Sequence, residues 1–381
     1  MGRPSGECLS GFDQRVRDKI ISLRIAHPGW GPQTLKVELD QDEGLKMFKI
    51  PQRSSIALFL KKNKLVKSYE KNVEMPSSAL HPAQRAHQIW QIDGQGAVQI
   101  ENLGNINFLN VKDKYSKVYC GCVPLGARSH NGSPSADDYR YALRLAFIEF
   151  GLPEEIQSDH ATVFYENKSK SPFPTVFHLW LIALGIGLIL SRKRRPTDQA
   201  LVERMHQTME MQTTTRTPPI SVETLARLAD QRRSRLNRDI PSSSTGDLPP
   251  LVACPQARHS GKMYRPELER ELIDLQRVYD FLTDGKWYRK VGCQGRVVSL
   301  GGEKYYLKNA TSGSTLQITF DRHEKQLVFM DAKGVSEIDR KSIKSIDYEN
   351  LMGEDFAQAC LPGFQFQLPL SWSTQKLALL L

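Results

Sequence analysis

Fifteen consecutive residues, Val176 to Leu190 (VFHLWLIALGIGLIL), hold no Asp, Glu, Lys or Arg and run, after Ser191, into Arg192-Lys193-Arg194-Arg195. A membrane-spanning helix needs about 20 apolar residues. This run is shorter, contains His178 and is interrupted by Gly185 and Gly187. It reads as a buried helix ending at Gly185 and a buried strand from Leu188 to Ser191, and both need a sizeable protein core around them.

The neighbouring stretches supply that core. HQIWQIDG reads as a buried strand ending in Asp93, followed by strands in GAVQIEN, INFLNVKD and KVYCGCVPL around Gly-Asn and Lys-Tyr-Ser turns. Asp137 to Phe150 is an amphipathic helix stopped by Gly151-Leu152-Pro153. EEIQSDH is a short strand ending in Asp159, GLILSR is another strand, and DQALVERMHQTMEMQ is a helix carrying Glu203. Strands and helices in this order predict an α/β core, residues 87–212, with a mixed five-stranded sheet.

With 381 residues the chain is too long for one core. Residues 1–75 read as short helices with apolar stripes at Val16, Ile20, Leu23, Leu35, Leu39, Ile56, Phe59 and Leu60. Arg53, Lys61 and Lys62 flank the third stripe. A helix, a Gly-containing turn and a basic helix is the pattern of a helix-turn-helix DNA reader, and equally of a plain helical bundle. Residues 76–86 form a linker and 213–285 a helical connector. Residues 286–335 hold five short strands, the count of a small SH3-like or OB-like barrel, and 336–381 remain an unassigned tail.

Lys and Arg outnumber Asp and Glu by 52 to 42, a net charge of +10, which favours a polyanionic partner, nucleic acid first. The six cysteines show no CxxC spacing and read as reduced, mostly buried thiols of a cytoplasmic protein. No signal-peptide core opens the sequence and no membrane partner is expected.

Each acid has an ordinary reading. Asp93 before glycine opens turns, Asp159 caps helices, and Glu203 pairs with Arg204 or Gln207 on a surface. Together, carboxylates at the ends of two strands and on a late helix are what a two-metal phosphodiester site requires. Arg192, Lys193, Arg194 and Arg195 just ahead of Glu203 suit phosphates beside a scissile bond. His206 lies on nearly the same helix face as Glu203, placed to touch DNA or to orient that Glu.

These pieces resemble the insertion-sequence transposases and retroviral integrases. The carriers are WQIDG, GLPEEIQSDHATVF and PTDQALVERMHQT, with HPGWGPQTLKVEL and SSIALFLKKNKLV resembling the helix-turn-helix and GRVVSLGGEKYYL the C-terminal DNA-contacting module. The resemblance implies a ribonuclease-H-like core with Asp93, Asp159 and Glu203 as catalytic metal ligands for two Mg²⁺ or Mn²⁺ ions. It implies double-stranded DNA as substrate, hydrolysis at element ends followed by 3′-OH strand transfer, action as a homo-oligomer, and a nucleoid-associated location. DNA contacts fall on Arg53, Lys61, Lys62, Arg192 to Arg195, Arg204 and His206. A catalytically inactive DNA-binding derivative is the alternative. Two features depart from the family. The interval from Asp159 to Glu203 is long, with Tyr165 to Pro174 as a surface insertion, and the segment around Asn237 (RLNRDIPSSSTGD) is degenerate. The zinc-binding module of the integrases is absent.

Overall fold

Apolar residues at helical spacing near the N-terminus close into one small core of Val16, Ile20, Trp30, Leu35, Leu39, Ile56, Phe59 and Leu60. The computed structural model describes residues 8–66, 82–125, 135–158, 163–165, 171–191, 200–213, 219–293 and 295–353. The elements begin with α1 (Gln14–Ala26), α2 (Pro32–Gln41), α3 (Arg53–Lys62), β1 (Ile89–Ile100), β2 (Gly104–Asp113) and β3 (Tyr119–Pro124). Next come α4 (Ala136–Phe150), β4 (Glu155–Ser158), α5 (Val176–Ala183), β5 (Gly187–Leu190), α6 (Ala200–Thr213) and α7 (Val222–Arg238). Then follow α8 (Pro250–Ala253), α9 (Glu269–Leu272), α10 (Leu275–Thr283), β6 (Trp287–Lys290), β7 (Val297–Leu300) and β8 (Glu303–Tyr306). The described chain ends with β9 (Thr315–Asp321), β10 (Gln326–Asp331), β11 (Glu337–Ser342) and α11 (Tyr348–Met352). Two compact units result, one from residues 1–133 and 195–259, the other from 134–194 and 260–381.

In the first unit β1, β2 and β3 form an antiparallel meander. The sequence reading ends the first strand at Asp93; the structure instead runs β1 on through Gly94 and Gly96 to Ile100, with Asp93 paired opposite Asn110. Between Gln95 and Val98 the strand takes up one extra residue against Phe108 to Ile106, a β-bulge. Glycines inside a strand mark such bulges as well as turns, and the long, mostly buried partner β2 holds the chain extended.

Helices α6 and α7 cover one face of the meander through Met205, Met209, Leu225, Ala229 and Leu236, packed on Ile106, Phe108, Tyr119 and Cys122. The supposedly degenerate segment has a defined task here. Asn237, 1% exposed, accepts a hydrogen bond from the Tyr119 backbone N–H and donates to its carbonyl, both at 2.9 Å. Arg233 donates to the same carbonyl at 3.0 Å. The carboxamide stands in for a neighbouring strand at the end of β3, satisfying groups that a buried strand edge would leave open.

In the second unit β4, α5 and β5 make a β-α-β unit with parallel pairing, Ile156 opposite Leu188 and Ser158 opposite Leu190. Antiparallel and parallel pairing thus both occur, with helices interleaved. The long apolar run gives the expected buried helix, but its strand β5 lies at the sheet edge with Leu188, Ile189 and Leu190 only partly buried, which corrects the expectation of a buried strand. No helix among the described residues is long and apolar enough to cross a membrane. Thr175 caps α5 by accepting from the His178 N–H. Glu269, fully buried, accepts from Arg144 at 2.7 and 2.6 Å and from Trp180 Nε1 at 2.7 Å, and also from the Tyr264 hydroxyl. A carboxylate is tolerated at such depth because every lone pair has a donor.

Toward the C-terminus β6, β9, β10 and β11 form one antiparallel sheet and β7 with β8 a hairpin. Gly301 and Gly302, both with positive φ, turn this hairpin in two residues, a geometry that strongly favours glycine. Tyr305 is buried against Phe329 whereas Tyr306 is exposed. Strand β11 is absent from the sequence reading because its mostly charged residues show no apolar alternation. The five described cysteines are free, but only Cys120 and Cys122 are buried; Cys293 is exposed. The expectation of mostly buried thiols is corrected there.

Two tests follow from this packing. Asn237→Ala leaves the Tyr119 N–H unpaired, and thermal or urea unfolding is expected to show a loss of about 2 kcal/mol. His178, 3% exposed between the rings of Tyr165 and Phe281, is pulled down to about 4 by burial. Its folded pKa lies below the unfolded value, so its stabilising effect is complete above the unfolded pKa and is lost as pH falls toward 4. Urea unfolding at pH 7 and pH 5 should register about 2 kcal/mol of acid destabilisation from this residue, which His178→Leu should remove.

Candidate active site

Side chains on a strand alternate between faces, so Asn110 shares the face of Phe108 and Ile106, beneath α6. Cross-strand partners share a face as well. Asp93, Asn110 and Cys122 therefore form one row across the meander, and Gln91, Lys112 and Tyr119 the next. Polar residues dominate both rows although the surrounding core is apolar.

Helix α6 lies over these rows because Val202, Met205 and Met209 form a buried stripe at helical spacing. Glu203 and Arg204 border that stripe and face solvent. His206 falls on its inner margin, with its side chain 14% exposed and its Nε2 3.8 Å from Asp93 Oδ2. Burial takes the imidazole down to about 4, opposed by a hydrogen bond to the Asp93 backbone. It is uncharged at neutral pH, so any DNA contact it makes lacks the attraction of a cation.

The rest of the face is electrostatically uneven. Lys112, 4% exposed, holds its Nζ 4.0 Å from the centroid of the Tyr119 ring. Burial, reinforced by Lys117 and Arg204, lowers it to about 7. Burial likewise pushes Cys122 up to about 12, leaving it a neutral thiol. Asn110, 0% exposed, donates to Gln95 at 3.5 Å, but its Oδ1 has no hydrogen-bond partner, nor has His206 Nε2.

A carboxylate with its side chain 23% exposed, flanked by two acceptor atoms without partners, fits a hydrated divalent cation, whose water shell presents hydrogens to such acceptors. Asp93 and Glu203 would supply hard carboxylate oxygens, the donors that Mg²⁺ and Mn²⁺ prefer. β4 ends at Ser158, one residue short of Asp159. Asp159 itself lies outside the described residues, as do Arg192 to Arg195. Among the described residues no three His, Cys, Asp or Glu side chains gather as a metal-binding group.

Among the other expected DNA contacts, Lys61 and Lys62 are exposed in the last turn of α3. Arg53 is exposed and meets Asp247 at 3.2 Å, a surface pair worth about 1 kcal/mol or less. The sequence reading did not include Asn110, Lys112 or Asn237 among site residues. An Asn and a Lys at alternate positions, on the strand face that also carries Ile106 and Phe108, are the signal that marks the first two.

The last turn of α6 has a further contact. A Cβ on Gly29, between α1 and α2, would lie 2.2 Å from the Met211 carbonyl oxygen. Around it Arg232 stacks over Trp30 at 4.5 Å, and Glu38 pairs with Arg235. The helical module is thereby seated on α6 and α7. Gly29→Ala forces these backbones apart; a loss of about 2 kcal/mol is expected, with faster hydrogen exchange in α6 than in wild type.

No family model matches the chain. Among solved structures the chain is similar to the HTLV-2 integrase catalytic core domain in complex with magnesium. Its trimeric form matches at 14% identity over 46% of this chain and 99% of that one, with a TM-score of 0.33. The dimeric form matches at 15% identity over 42% and 92%, with a TM-score of 0.31. A structure of the simian T-cell lymphotropic virus intasome in complex with PP2A regulatory subunit B56 gamma matches at 13% identity over 81% and 99%, with a TM-score of 0.37.

Proposed function

We propose that the chain is a DNA transposase of the integrase type, hydrolysing a phosphodiester at element ends and joining the freed 3′-OH to target DNA. The observation that carries this reading is the seating of α6. The helix that bears Glu203 lies across the strand that bears Asp93, with His206 within 3.8 Å of the Asp93 carboxylate. This approach of two segments far apart in the chain supports the reading.

In this proposal Asp93, Asp159 and Glu203 hold two Mg²⁺ or Mn²⁺ ions. When bound, the ions lower the pKa of the attacking water or 3′-OH and stabilise the leaving oxygen. Asp93 supplies a carboxylate fixed in the body of a strand, which limits its movement. Glu203 supplies one from the solvent edge of α6, where DNA has access. Arg204, beside it, and the tract from Arg192 to Arg195 bind phosphates, each contact adding salt-sensitive affinity. His206 acts at Asp93 as a neutral side chain.

The layout proposed around this core keeps residues 1–75 as a helix-turn-helix domain, with Arg53, Lys61 and Lys62 on DNA. Residues 76–86 are the linker, 87–212 a ribonuclease-H-like core and 213–285 the connector. Residues 286–335 form an SH3-like barrel and 336–381 the tail. A homo-oligomer assembled on two DNA ends is the proposed working form.

Incubating the full chain with DNA from its own element's ends and Mn²⁺ tests the reading. The wild type should nick and join. Glu203→Gln should lower both by about 10³-fold or more, the scale of losing a group that stabilises charge in the transition state, while retaining the same DNA in gel shift. Equal cleavage by wild type and Glu203→Gln would overturn the assignment of Glu203, and no cleavage by the wild type would overturn the function.

A further inference from the structure

Resting on that reading of Asp93 and Glu203, we infer that His206 is a positioning residue for Asp93, locking the helix of one carboxylate to the strand of the other. Three observations carry it. The first is location: every other inward residue of α6 near this point is apolar, Val202, Met205 and Met209. A filler at 206 would follow suit, yet the chain places an imidazole there.

The second is the double approach to one residue. The imidazole hydrogen-bonds the Asp93 backbone and holds Nε2 3.8 Å from the carboxylate Oδ2. The backbone bond ties α6 to β1 at the position of the acid. It also fixes the ring, so that Nε2 faces the carboxylate. Residues 203 and 206 are one turn apart on the same helix. Setting the height of α6 at His206 therefore sets the height of Glu203 above Asp93.

The third is the unfinished hydrogen bonding. Buried polar atoms are normally paired, yet His206 Nε2 has no partner, and neither has Oδ1 of Asn110, the residue directly opposite Asp93. With the other imidazole nitrogen bonded to the Asp93 backbone, both atoms are acceptors like the carboxylate they flank, so only donors such as the water shell of a cation can join them. Groups that orient a metal-binding carboxylate in this manner govern metal affinity without touching the ion.

The stereochemistry of three replacements separates positioning from space-filling. Asn reproduces the nearer nitrogen, the one that makes the backbone bond, Gln reproduces only the reach of Nε2, and Leu fills the volume with neither. With the full chain, Mn²⁺ alone is the probe, its affinity read by isothermal titration calorimetry. The Mn²⁺ concentration for half-maximal cleavage of element-end DNA gives a second readout, and unfolding midpoints and gel shifts follow the fold. His206→Gln and His206→Leu should weaken Mn²⁺ binding about tenfold and raise the half-maximal Mn²⁺ concentration in parallel, while His206→Asn stays within about threefold of wild type, a spread of roughly 0.7 kcal/mol.

Should His206→Leu fail to fold, the Asn and Gln pair still decides. Equal Mn²⁺ affinity for those two, whether retained or lost, overturns the positioning role while leaving the proposed function intact. A wild type that binds no Mn²⁺ overturns both.

Discussion

The seating of α6 is the contact on which the rest of the site depends. Its stripe of Val202, Met205 and Met209 is fully buried, and burying three such side chains contributes several kcal/mol, about 1.5 to 3 each. That apolar term fixes the rotation of the helix. With the rotation fixed, Glu203 must face solvent and His206 must face the sheet, because both are set by a period of 3.6 residues. No polar contact in the site has comparable strength.

The polar rows beneath α6 show what the apolar contacts accommodate. Asn110 and Lys112 are almost completely withdrawn from water, and an unpaired buried polar group costs about 1 to 3 kcal/mol. Lys112 answers this cost by a lowered pKa and by lying over the Tyr119 ring. Asn110 leaves one acceptor unmatched. Sites of function are where a fold tolerates such costs, and these lie beside the acid that the sequence singles out. Elsewhere the chain does the opposite: Glu269 receives four hydrogen bonds and Asn237 completes a strand edge. Those groups are fully matched and serve the scaffold.

Much of this was legible in the sequence where a local pattern and a burial requirement agree. The helix and strand of Val176 to Leu190 follow from apolar composition and two glycines, and the stripe of α6 follows from its spacing. Legibility failed where a distant partner decides. Gly94 and Gly96 look like a turn until β2 is alongside, when they become part of a bulged strand. Asn237 looks like motif decay until Tyr119 lies opposite. β11 has almost no apolar signal, since its register comes from pairing with β10. For the site, Asp93 and Glu203 follow from chemistry and motif; His206 is legible as a DNA contact or a group orienting Glu203, but its approach to Asp93 appears only in the structure. Its neutrality comes from burial, which no local sequence pattern encodes.

The central claim is that Asp93 and the α6 carboxylate Glu203 serve one divalent cation site. Anomalous diffraction from crystals of the full chain grown with Mn²⁺ tests this most directly. The account predicts a manganese peak at coordination distance from the Asp93 carboxylate, on the face covered by α6, with Glu203 on the same cluster. Manganese bound only at positions remote from Asp93 would contradict it.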